Sequence, residues 1–81
     1  MVGLAKVTTL AAGEMTNRRG VIAYLVHSTP GLEIAGSGTR PTNEYWAVRY
    51  EIDNATHGAR YKTMSEAEAH FYRLVDVDER I

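Results

Sequence analysis

The side chains able to do chemistry in this chain are three histidines, scattered carboxylates and nine lysines and arginines, and their spacing keeps most of them apart. A metal ion, or a histidine–carboxylate pair acting as general base, needs ligands that converge on one point. His27, His57 and His70 offer no HxH or HxxxH spacing and fall on three different expected elements: a strand, a turn and a helix. The carboxylate pairs Glu66/Glu68 and Asp76/Asp78 stand two residues apart, a spacing that diverges on a helix. No serine sits in a GxSxG setting. Gly36-Ser37-Gly38 lacks the lysine and the strand-to-helix context of a phosphate loop. The expectation is a non-enzymatic protein with no catalytic residue, no metal and no cofactor.

Binding chemistry is better represented. Tyrosine and arginine are the residue types enriched where proteins grip one another, tyrosine for flat contact area and arginine for two-pronged contact with carboxylates. Tyr45, Arg49, Arg60 and Lys62 are expected together on one sheet face, with Arg18, Arg19 and Arg40 as loop contacts.

The elements that must position these residues are clearest in the second half of the chain. Residues 44–53 alternate, with Trp46, Val48, Tyr50 and Ile52 pointing one way and Tyr45, Ala47, Arg49, Glu51 and Asp53 the other. The even set is expected beneath a helix and the odd set in solvent. A four-residue turn at 54–57 and a return strand at 58–63 pair Asp53 with Gly58, Tyr50 with Tyr61, Glu51 with Arg60 and Arg49 with Lys62. Overlapping capping boxes at Thr63 and Ser65 start a helix at one or the other. Met64, Ala67, Phe71, Leu74 and Val75 form its buried stripe.

Upstream, 21–28 (VIAYLVHS) is a β-branched and aromatic run suited to a central strand, and 5–10 is a further strand. Residues 11–20 read as a loop with one irregular helical turn. Thr29-Pro30-Gly31 carries a type II turn signal, after which 32–35 has the makings of a short strand returning on 21–28. Residues 36–43 (GSGTRPTN) read as a flexible loop, and 76–81 as an acidic tail. The fold class expected is α+β: an antiparallel sheet of four to five strands with one C-terminal helix packed on one face, forming a single domain over 1–81.

Composition sets the outer limits. With 81 residues, one core is all the chain can build. A net charge of -1 differs from the basic excess of a dedicated duplex binder and from the strong acidity of a DNA mimic. The absence of cysteine fits a reducing compartment, and residues 1–10 show no signal peptide or membrane span, so a cytoplasmic location is expected.

Within 46–74, a hairpin with outward basic residues leads into a T-x-x-E-A helix, with Tyr61, Thr63, Glu66, Ala67 and Phe71 at recurring positions. This pattern resembles the arm-type DNA-binding modules at the amino end of tyrosine integrases. Glu44, Glu51 and Asp53 interrupt the basic face of that pattern. In size and build the chain is similar to accessory and anti-defence inhibitor proteins of phages and mobile elements. The first expectation is therefore a small protein-binding module that inhibits or regulates a larger partner. The alternative is a nucleic-acid-binding module using the basic hairpin face. No membrane partner is expected, and a homodimer is possible through an exposed edge strand.

Overall fold

A computed structural model describes residues 3–75. Its centre is made by the two strands with the richest β-forming sequence: β2 (Arg18–Ser28) lies antiparallel to β5 (Tyr45–Ile52). β1 (Val7–Met15) and β6 (Ala55–Tyr61) flank them, completing a four-stranded sheet in the order β1-β2-β5-β6. One helix, α1 (Met64–Leu74), packs across one face. The class is α+β, as the sequence predicts.

Thr63 caps the helix. Its hydroxyl oxygen accepts from the Glu66 backbone N–H at 3.3 Å, and the hydroxyl donates to the Glu66 carboxylate at 2.9 Å. This settles the choice between Thr63 and Ser65 and quiets one of the orphan donors of the first turn. Ala67 and Phe71 face inward, joined by Val75 just past the helix; Met64, expected in the stripe, is 41% exposed. It is the first helical residue, one turn before the buried Ala67. The main core is Met15, Ala23, Leu25, Val48, Ala67, Phe71 and Val75, with Trp46, Tyr50 and Tyr61 half-buried at its margin.

Three loops or registers differ from the sequence reading. Residues 11–20 are no loop: β1 runs through to Met15, turns at Thr16-Asn17 and returns as β2. Alanine and glycine are poor strand formers alone, and here pairing with β2 supplies what propensity lacks. Residues 36–43 are no flexible loop either. β3 (Gly31–Ala35) pairs with β4 (Gly38–Thr42) to make a separate two-stranded arm, and β3 returns on β4 rather than on β2. The arm is tied to the chain start, where Leu32 N–H donates to Gly3 O at 3.0 Å and Ala5 N–H to Leu32 O at 2.7 Å. A side chain at Gly31 would meet Gly3 O at 2.8 Å, so the close approach requires glycine.

The third difference is the β5–β6 register. Asp53 and Asn54 both take positive φ, 51° and 67°, and form a two-residue turn whose twist matches that of paired strands. Ile52 therefore faces Ala55, Tyr50 faces His57 and Arg49 faces Gly58; the expected Glu51–Arg60 and Arg49–Lys62 pairs do not form. The shift is an even number of residues, so each side chain keeps its predicted face. The acidic tail at 76–81 lies outside the described residues.

Candidate functional site

The sheet face opposite the helix carries the odd-numbered residues of β5, but it is only half open. Ser28 pairs with Tyr45, Val26 with Ala47 and Tyr24 with Arg49, so even-numbered residues of β2 share that face. An extra residue in β1, marked by the register shift between Thr9 and Ala11, adds Val7 and Thr9 on one side of it and Ala12 and Glu14 on the other. The β3–β4 arm lies over the end nearest Tyr45. Under it Val26, Tyr45 and Ala47 form a second small core.

Tyr45 was expected in solvent and is 8% exposed. Its ring is covered by the Arg60 guanidinium, with Cζ 4.2 Å from the ring centroid, and its hydroxyl accepts from Arg49 Nη2 at 2.9 Å. Arg60 in turn donates from Nη1 to Glu33 Oε1 at 3.1 Å and from Nη2 to Glu33 Oε2 at 3.4 Å. Arg40 reaches the same carboxylate from the arm, Nη2 to Oε2 at 3.2 Å. Hydrogen bonding from Arg60 holds Glu33 below the ordinary carboxylate range, against a smaller opposing effect of burial, and Arg40 adds to it. Glu33 raises Arg60 further above its ordinary value in return.

The predicted site residues therefore divide. Tyr45, Arg49, Arg60 and Arg40 come together, but as a network that fastens the arm to the sheet. Two of its arginines share the single Glu33 carboxylate. Lys62 is exposed just past β6, beside Tyr45 and Arg60. Arg18 and Arg19 sit at the opposite end of β2 from Ser28 and Tyr45, near the β1–β2 turn, and do not join the others.

Two patches on this side were not anticipated. Where the arm meets the sheet, Leu4, Val7, Leu32, Ile34 and Tyr45 line a cleft of about 170 Å³. Ile34 is 75% exposed, Leu4 65% and Val7 49%, the three highest values among the large apolar side chains described. Beyond the arm's reach, the bare half of the face carries Ile22 and Tyr24, 38% and 42% exposed, beside Arg49 and Glu51. Tyr24, Arg49 and Glu51 border one shallow hollow of about 210 Å³. No signal in the local sequence marks either patch, because both depend on where the arm lands.

The histidines occupy three separate aromatic contacts. His27 lies against Trp46 at 5.0 Å between centroids and donates from Nε2 to Glu44 at 2.7 Å. His57 stacks on Tyr50 at 5.5 Å, and His70 Nδ1 is 2.9 Å from the Tyr61 hydroxyl. No helix among the described residues is long and apolar enough to cross a membrane. Comparison of the chain with protein-family models, with curated proteins and with solved structures finds no match.

Proposed function

We propose that this chain is a non-enzymatic protein-binding module that takes an apolar segment of a larger protein into the cleft between its arm and its sheet, inhibiting or adjusting that partner. One observation carries the reading: Leu4, Val7 and Ile34, the most exposed large apolar side chains described, line a single cleft. Apolar side chains scattered singly over a surface need no explanation, whereas several gathered at one concave place mark an interaction site. The arm's docking network gives the cleft fixed walls, which limits the ordering cost of binding.

Glu33 favours this reading over the nucleic-acid alternative. Its carboxylate offsets one of the two positive charges of Arg40 and Arg60 and holds both guanidiniums on itself, so they are less free to meet phosphates. The test is capture of a partner from the native host with wild-type chain, Ile34→Asp and Leu4→Ser. Loss of the captured protein in both variants, with unchanged circular dichroism, is the expected result. Affinity for an oligonucleotide that falls steeply between roughly 50 and 200 mM salt would establish the alternative instead.

A further inference from the structure

We propose that the cleft takes its partner's segment as an added β-strand, paired with the open backbone edge of β3 at Ile34. This deepens the reading of the cleft as a docking site, on which it rests. Leu32 turns its backbone away from β4: its N–H donates to Gly3 O and its carbonyl accepts from Ala5 N–H. Its neighbour across the arm, Pro41, has no N–H to offer it. Leu32 and Pro41 are thus a non-hydrogen-bonded pair, and such pairs recur at every second residue of an antiparallel ladder. Ile34 and Thr39 are the next one. The Ile34 N–H and C=O therefore point the same way as those of Leu32, and they have no partner among the described residues.

The chain start pairs with β3 in parallel, at Leu4 and Leu32. Continued one step, that pairing would bond Ile34 to Ala5 O and to Val7 N–H, and neither bond forms. At Lys6 the chain is held to the end of β2 instead. Thr29 N–H donates to Lys6 O at 3.0 Å, and Lys6 N–H donates to Thr29 Oγ1 at 2.8 Å. From there β1 follows β2 while β3 follows β4, so the two strands part. The cleft is the wedge between them, with Ala5 and Val7 on one wall and Glu33 and Ile34 on the other. An extended segment entering it continues the lane that Gly3 to Ala5 leaves, and finds a donor and an acceptor at Ile34. Leu4, Val7 and Ile34 then meet its apolar side chains at alternate positions. The other edge of the arm is blunted by Pro41, which puts no N–H outward, whereas the edge at Ile34 carries neither proline nor charge. The occupant is therefore a strand of the partner with apolar residues at every second position.

The probe is the tightest-binding peptide selected on the full chain from a displayed library of random peptides. In its complex the Ile34 amide is expected to exchange at least about tenfold more slowly than in the free chain. Ile34→Pro removes the outward N–H and leaves the β3–β4 ladder intact, as Pro41 does opposite Leu32. It is expected to bind at least about tenfold more weakly than Ile34→Val, which keeps both the N–H and a branched apolar side chain. The exchange measurement needs no variant, so it decides the matter even if Ile34→Pro fails to fold. Unchanged Ile34 exchange, in a complex that Ile34→Asp abolishes, overturns strand addition and leaves the cleft standing as the docking site. A folded Ile34→Pro chain that binds as tightly as Ile34→Val does the same. A library that yields no binder, or only binders indifferent to Ile34→Asp, overturns both readings. If the wild type sediments at twice 9.0 kDa and Ile34→Pro at 9.0 kDa, the added strand comes from a second copy, and the proposed occupant is overturned.

Discussion

Glu33 on β3 and Arg60 on β6 stand 27 positions apart and meet through two hydrogen bonds, of 3.1 and 3.4 Å, that join the arm to the main sheet. The pairing is fork to fork, the arrangement in which arginine and carboxylate hold each other's orientation. Beneath it the Arg60 guanidinium lies on the Tyr45 ring, so one side chain serves as both clamp and lid.

Glu33→Gln should therefore loosen the arm without unfolding the sheet. Amide exchange at Leu32, Ala35 and Arg40 is expected to accelerate, while exchange within β2 and β5 stays slow. The wild type should show the same behaviour in acid. The folded-state pKa of Glu33 is depressed, first by Arg60. Its contribution is thus complete above the unfolded glutamate value of about 4.3 and fades as pH falls below that towards the folded value. Arm protection that is already lost at pH 6 would contradict this account.

Phe71 is 2% exposed and sits at the middle of the helix-side core with Leu25 and Val48. Phe71→Ala is expected to cost about 3–5 kcal/mol, through lost burial and the cavity left behind. A chain of this length holds a total of about 4–12 kcal/mol. Thermal melting should accordingly show a large fall in midpoint or no folded baseline. Met64→Ala, at an exposed position, should change the midpoint little, staying within about 0.5 kcal/mol of wild type.

How much of this was legible in the sequence depends on the range of the interaction. The faces of β5 follow from the alternation of 44–53, and they survive a wrong register because the slip was even. The helix and its cap follow from Thr63, Glu66, Ala67 and Phe71, all within one local window. The turn was misread because Asp53 and Asn54, with their tolerance of positive φ, compete with Asn54–His57 as a turn, and strand twist decides in favour of the shorter one. Tyr45 was misplaced for a different reason. Its burial depends on an arm built from residues such as Gly38, Thr39, Arg40 and Pro41, whose composition reads as loop, and on a Glu33–Arg60 contact no local pattern announces. Both patches of the candidate site inherit that long-range dependence.

Gly58 gives a sharp test of the observed register. It lies opposite Arg49 with φ of 142°, and a Cβ there would fall 1.9 Å from the Val48 carbonyl oxygen. Gly58→Ala must move the backbone of β6 away from β5, at a cost of at least about 1–3 kcal/mol. The expected signs are a lowered denaturation midpoint and faster exchange along β6. Had the register paired Gly58 with Asp53 at the turn, the same substitution would be mild. A destabilisation below about 0.5 kcal/mol would therefore speak against the observed pairing.

His70 supplies a pH dependence of the same sign as that of Glu33, in a higher pH range. Burial, and after it the nearby positive charge of Arg73, lowers its pKa below the ordinary histidine value. Its Nδ1 lies 2.9 Å from the Tyr61 hydroxyl, and a neutral ring can accept that proton, whereas an imidazolium cannot. A base with a depressed folded pKa binds its proton more readily in the unfolded chain. Its effect is therefore absent well above about pH 6.5, and stability declines as pH drops through that value towards the folded pKa. The melting midpoint of the wild type should fall between pH 7.5 and pH 5.5, and His70→Gln should flatten that part of the curve. An unchanged slope in His70→Gln would contradict this account.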